Sequence, residues 1–341
     1  MNKLTAGLLL VCATTGIAFG QTGEAPKAPG NATKFTKWII TVAYLDKSYA
    51  FYHEAFGMEI NGTAQIKKAA PATAAILKLT NSPEGTIFRN ISVHSAGLDW
   101  YLEMTEFTTP GGHAPTMRLQ DPGATYLRLR VRDIDKVVAA ALKNGGAINS
   151  VGRAVMTAGK NKVVMLKDPD GHYLEITQPG EIPATAPADS MVIGGNFVAV
   201  VEDADKAVNF YKAQLGLDNQ IVGWNTNEAT MNMFGTPGAQ MHRASIFVPG
   251  TKLQLEFIQF KGIDTKPAHL RIADQGSAQL GLQVEDIDAA AKAFLANGGS
   301  IETAGGITKR PNGGGGGFVR DMNGFLVELN QVAPPAVSAA K

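Results

Sequence analysis

A chain of 341 residues with 45% hydrophobic and 18% charged residues is long enough, and apolar enough, for two ordinary globular domains. Its formal net charge of +1 gives no electrostatic footprint for nucleic acid or an anionic membrane, so those partners are excluded and a small molecule is expected instead. The one cysteine, Cys12, lies so near the start that a processed chain would have no disulfide framework, thiol nucleophile or cysteine metal site.

Residues 1–20 pair a charged start at Lys3 with a short apolar stretch and small residues at Ala18 and Gly20, the pattern of a cleaved export signal. The expected location is therefore periplasmic or secreted, with no membrane contact after cleavage. Residues 21–34 read as a flexible leader rich in Pro, Gly and Ala, 180–190 as a linker of the same composition, and 333–341 as a frayed tail. Two patterned regions, 35–179 and 191–332, remain as domains.

In the first domain, Trp38 to Val42 is a β-rich run. Asp46 is placed to cap a helix carrying Tyr49, Tyr52 and Phe56 at helical spacing, and Gly57 to end it. Tyr126 to Val131 is a second opening strand, followed by a cap at Asp133 or Asp135, a helix through Val137 to Leu142 and a stop at Gly145-Gly146. Tyr173 to Thr177 is a closing strand. The second domain repeats this order: VEDADKAVNFY answers VAYLDKSYAFY, VEDIDAAAKAFLANGGSI answers VRDIDKVVAAALKNGGAI, and RDMNGFLVELNQV answers KDPDGHYLEITQP. Glu103 to Glu256 and Glu175 to Glu328 are both separations of 153 residues, so the halves are duplicates. Each half divides again, giving a β-α-β-β-β order used four times. The fold class is α+β.

These openings and the D-P-D-G-x-x-x-E and D-M-N-G-x-x-x-E endings resemble the vicinal oxygen chelate superfamily, the glyoxalase, bleomycin-resistance and dioxygenase group, over about residues 35–332. The resemblance implies that paired βαβββ modules form cupped mixed sheets that enclose a metal and a small substrate. It places one ligand position per module: Lys37 and Tyr126 on the opening strands and Glu103 and Glu175 on the closing strands of domain one, and Asn196, Gln279, Glu256 and Glu328 at the matching places of domain two. All four closing positions are carboxylates, and no opening position is histidine. In domain one, Lys37 sets an ammonium where a cation would sit, and Tyr126 could ligate only as a phenolate, so no metal is expected there. In domain two, the oxygen donors of Asn196, Gln279, Glu256 and Glu328 would suit a weakly held hard cation such as Mg²⁺, Mn²⁺ or Ca²⁺. A hydrogen-bonded network in a metal-free cup is the preferred reading of the same residues.

Two functions follow. The preferred one is an exported binding protein that holds a small organic molecule, with Lys37, Glu103, Tyr126, Glu175, Asn196 and Gln279 lining the cups and no cofactor. The alternative is a divalent-metal-dependent lyase, isomerase or dioxygenase working in domain two, with Glu256 and Glu328 as metal ligands or general bases. Whether domains pair within one chain or between the chains of a homodimer stays open. None of the six histidines falls at a ligand position. The glycine run at 313–317 lacks a following Lys-Ser/Thr and reads as a hairpin rim rather than a phosphate loop. Trp38, Trp100 and Trp224 are candidates to line a cup, Trp100 foremost because it lies near Glu103, although aromatics on strands are more often core.

Overall fold

The computed structural model describes residues 28–112, 117–249, 251 and 253–334. The expected signal, most of the leader, His113 and most of the tail lie outside the described residues.

Module one comprises β1 (Ala32–Val42), α1 (Leu45–Phe56), β2 (Glu59–Ile60), β3 (Ala70–Pro71), α2 (Ala74–Thr80), β4 (Ile87–His94) and β5 (Tyr101–Thr108). Module two comprises β6 (Thr125–Val131), α3 (Ile134–Lys143), β7 (Ala147–Ile148), β8 (Met156–Ala158), β9 (Asn161–Lys167) and β10 (Tyr173–Gln178). Module three has β11 (Val192–Val200), α4 (Ala204–Leu215), β12 (Asp218–Asn225), α5 (Glu228–Phe234), β13 (Gln240–Phe247) and β14 (Gln254–Lys261). Module four has β15 (Ala278–Val284), α6 (Ile287–Ala296), β16 (Ser300–Ile301), β17 (Thr308–Lys309), β18 (Gly315–Arg320) and β19 (Leu326–Gln331).

The four opening helices share one cause and differ in their caps. Asp133, Asp203 and Asp286 each accept a backbone N–H from the first turn of the helix that follows. Asp46 does not do this for α1. The helix starts at Leu45 after an uncapping Tyr44, and the Leu45 N–H is instead bonded 2.6 Å from Glu106 Oε2 on β5. Gly57 closes α1 at φ 63°, a left-handed conformation that costs glycine nothing. Modules one and three carry an additional helix, α2 and α5, each capped by a side chain (Thr73 and Asn227). The glycine run does form the β17–β18 hairpin, but Gly315 to Gly317 are buried strand residues. A Cβ on Gly317 would lie 2.8 Å from Ile307 Cδ1.

Sheet pairing crosses the tandem halves. One sheet runs β16-β18-β19-β15-β1-β5-β4-β2 and joins modules one and four; the other runs β12-β13-β14-β11-β6-β10-β9-β7 and joins modules two and three. The seams are antiparallel, β1 on β15 and β11 on β6. The cups are therefore built within one chain, but not from consecutive modules as the order of the repeats suggested. We call them the terminal cup (modules one and four) and the central cup (modules two and three). Helices pair the other way, α1 on α3 and α4 on α6, so each tandem half is held by its helices and the two halves by their sheets.

Period-two alternation sends one face of every strand to the helices. That side forms the large core, in which the ring of Phe197 stacks on Trp38 at 5.0 Å and meets Trp100 edge-on at 4.5 Å. Trp100 and Trp38 are both packed in this core, as strand aromatics more often are, and not in a cup. Two buried latches tie the helices to the following module: Tyr52 donates to Asp168 at 2.9 Å, and Tyr211 to Asp321 at 3.2 Å. Burial pushes the Asp321 carboxyl up to about 6, and burial likewise raises both phenols.

This topology makes neither half self-sufficient, because cutting the linker would expose the β1 and β6 seams together. Unpaired strand edges recruit other strands. The first half produced alone is expected to self-associate in sedimentation equilibrium. A stable, monodisperse monomer would contradict the crossed pairing.

Candidate functional site

Because side chains alternate, each cup face can be read from its strands. In the terminal cup, Lys37 (β1), Glu103 (β5), Gln279 (β15) and Glu328 (β19) share one face. In the central cup the set is Tyr126 (β6), Glu175 (β10), Asn196 (β11) and Glu256 (β14). The eight positions singled out in the sequence do converge, four to a cup. The grouping drawn from sequence is corrected: Gln279 and Glu328 lie in one sheet, Asn196 and Glu256 in the other. The domain-two donor set for a hard cation never meets at one point, and Glu256 and Glu328 cannot act on one substrate together.

The terminal cup centres on Lys37. Its Nζ lies 2.8 Å from Glu103 Oε2 and 2.8 Å from Glu328 Oε2, with the three side chains only 21%, 15% and 11% exposed. Burial alone would lower the ammonium pKa, but Glu328 and Glu103 outweigh it and hold Lys37 well above its ordinary value. Burial also raises the Glu328 carboxyl, an effect Lys37 only partly offsets. Asn90 donates to Glu103 Oε1 at 3.2 Å. Gln279 Nε2 donates to Ser277 Oγ at 2.8 Å, and its buried Oε1 has no hydrogen-bond partner among the described residues. Beside this polar floor stands a small apolar wall of Ile39, Ile272, Phe318 and Leu326.

The central cup is built around two arginines that sequence reasoning missed. Arg128 donates through both terminal nitrogens to Glu256, at 2.8 and 3.2 Å, and its Nε lies 2.8 Å from Glu175 Oε1. Arg243 adds a contact of 2.5 Å to Glu256 Oε2. Burial would raise the Glu256 carboxyl, yet Arg128 and Arg243 pull it down to about 2. The Tyr126 hydroxyl, raised well above its usual value by burial and then by Glu175, has no hydrogen-bond partner among the described residues. The rest of this face is a buried apolar cluster that includes Met165, Met231, Met233, Met241, Phe234 and Phe260. Met231, Met233 and Phe234 come from α5, which is anchored to module two through Ser150 Oγ donating to the Met233 carbonyl at 2.7 Å. The central cup is filled where the terminal cup is polar.

Neither donor set fits the metal that the fold family implies. A protonated Lys37 is no ligand, and it already occupies both carboxylates of its cup. In the central cup the arginine fork engages Glu256 and Glu175 in the same way. Among the described residues, no group of three or more His, Cys, Asp or Glu side chains is placed to hold a metal ion. The histidines are used elsewhere: His242 Nε2 is 2.8 Å from Asp205, and His172 Nε2 is 3.1 Å from the Thr41 carbonyl.

Comparison with known proteins agrees with the architecture. The family model of the glyoxalase/bleomycin resistance protein/dioxygenase superfamily matches residues 34–176 and again 195–329, and the chain belongs to that superfamily. Among curated proteins, it is similar to a lactoylglutathione lyase of Arabidopsis thaliana and a putative one of Brassica oleracea var. gemmifera. Each is 25% identical over 184 residues, 54% of this chain and 55% of theirs, so the chain spans about half the length of these relatives. Among solved structures, glyoxalase I from Zea mays aligns with TM-score 0.55 at 16% identity over 87% of this chain and 92% of that one. A putative dioxygenase from Bacillus subtilis aligns with TM-score 0.53 at 14% identity over 89% and 86%. At these identities the structural likeness carries the fold alone.

The Glu256 carboxyl titrates lower in the folded chain than its ordinary 4.5. Its contribution to stability is therefore complete above that value and is lost as pH falls towards about 2. Glu256→Gln is expected to cost on the order of 3 kcal/mol at pH 7, because two buried guanidinium groups lose their partner. It should also flatten the decline of the urea midpoint between pH 5 and 3. An unchanged midpoint at pH 7 would show that the arginine cluster is not stabilised by Glu256.

Proposed function

We propose that this chain is an exported binding protein that holds a small organic molecule in its terminal cup, with no transition metal. The observation that carries the reading is the Lys37 ammonium seated between Glu103 and Glu328. A side-chain cation there balances the carboxylates that a metal would otherwise need to balance. The open hydrogen-bonding capacity beside it is on the acceptor side, chiefly Gln279 Oε1 and the carboxylates. A molecule that brings amine or hydroxyl donors to that floor and an apolar body to Ile39 and Phe318 is the complementary one. The central cup, packed with methionine and aromatic side chains, has a structural role.

The alternative is catalysis, as a lyase, isomerase or dioxygenase. What favours it is the Glu328 carboxyl, raised by burial towards the range where it can carry a proton to or from a bound molecule. The names of the curated relatives point the same way.

A thermal-shift screen of aromatic amines, diols and aldehydes tests both. A compound that raises the melting temperature of the native chain, with the shift lost in Lys37→Ala and Gln279→Leu but kept in Asn196→Ala, is the expected result. A shift that survives both terminal-cup variants would remove the ligand from that cup. Recovery of a chemically altered compound by NMR would assign the chain to the enzymatic alternative.

A further inference from the structure

The two cups meet one electrostatic demand with cations placed at different points, and those points are counterparts in the duplication. Lys37 and Asn196 each stand five residues before the valine that ends their opening run, Val42 and Val201. Gly281 and Arg128 each stand two residues after the corresponding opening position, Gln279 and Tyr126. Across the seams these residues face each other: Lys37 is paired with Gly281 in one sheet, and Asn196 with Arg128 in the other. Each facing pair therefore holds one cation and one neutral residue, with the roles exchanged.

The sheet order explains why the neutral partner matters. Strands run β19-β15-β1-β5, so Lys37 reaches Glu103 on the neighbouring strand but must cross β15 to reach Glu328. It crosses at Gly281, where an added Cβ would lie 2.6 Å from Lys37 Cγ and 2.6 Å from Thr36 Oγ1. In the other sheet the order is β10-β6-β11-β14. Arg128 lies directly beside Glu175 and must cross β11 to reach Glu256, passing the strand at Asn196.

We infer that each cup carries a resident side-chain cation where the superfamily holds its metal, seated by reciprocal exchange at one facing pair: Lys37 over Gly281 in the terminal cup, Arg128 over Asn196 in the central cup. Gly281 is then a positioning residue, since it acts only by leaving room for Lys37. The inference rests on the metal-free part of the reading above, and it does not depend on which molecule the terminal cup holds.

The test is a thermal-denaturation cycle on the full chain with Lys37→Asn, Gly281→Arg and the two combined. The combined variant copies the central pair into the terminal cup. Each single change is expected to lower the melting temperature, and the combined variant to recover at least half of the summed loss. Simple addition of the two losses overturns the exchange. Equilibrium dialysis against Ni²⁺ gives a second readout. Lys37→His removes the cation and sets an imidazole beside Glu103, Gln279 and Glu328, so it should gain about one ion per chain. Asn196→His should gain none while Arg128 and Arg243 remain on Glu256, and about one once Arg128→Gly and Arg243→Asn are combined with it. Binding by Asn196→His alone, or none by Lys37→His, overturns the inference. A failed ligand screen leaves this cycle intact, and a failed cycle leaves a ligand-induced shift intact, so the two claims fail separately.

Discussion

Two carboxylates that face each other across a closed cup cannot both stay charged without a positive charge between them. The placement of the cations in the two cups follows from that constraint. Glu103 and Glu328 stand on strands separated by two others, as do Glu175 and Glu256. A side chain that serves both members of a pair has to start on one inner strand and pass over the next. Lysine does this in the terminal cup with one ammonium, leaving one carboxylate charge over. Arg128 does it in the central cup, where Arg243 brings two cations to two carboxylates. This difference explains why Glu256 is held ionised to about 2, whereas Glu328 is pushed the other way.

The crossed pairing of modules sets where such pairs can form. Had consecutive modules shared a sheet, Lys37 would have faced Tyr126 and Arg128 from its own half. Instead it faces Gln279 and Gly281 from the other half. Duplication thus supplied two copies of each partner, and the copies diverged in opposite senses. One cup kept a polar floor, with Thr41, Thr105 and Asn90 on strands whose counterparts carry Val200, Ile258 and Arg243. The other filled with apolar side chains from α5 and its neighbours.

Much of this was legible in the sequence, and what was not has physical reasons. The modules and their helices follow from local periodicity and from the duplication, and the eight strand positions from the resemblance to the superfamily. Which modules share a sheet does not, because the seam between β1 and β15 joins residues far apart in the chain, and each opening strand presents a similar edge. The grouping of Asn196, Glu256, Gln279 and Glu328 failed for that reason alone. Arg128 was within reach: in Thr125-Tyr126-Leu127-Arg128, alternation puts the guanidinium on the same face as Tyr126. The short helices α2 and α5 also left signals, their caps Thr73 and Asn227, but seven residues are too few for a clear period. Trp100 lies near Glu103 in sequence, but nearness in sequence says nothing of face, and it sits just ahead of β5 in the core.

The central claim is that resident cations occupy both cups. Elemental analysis of the native chain tests it most directly, as purified and after incubation with Mg²⁺, Mn²⁺, Zn²⁺, Ni²⁺ and Fe²⁺ followed by gel filtration. The account predicts no stoichiometric ion under any of these conditions. About one tightly held ion per chain, lost in Glu256→Gln or in Glu328→Gln, would contradict it and identify which cup is a metal centre.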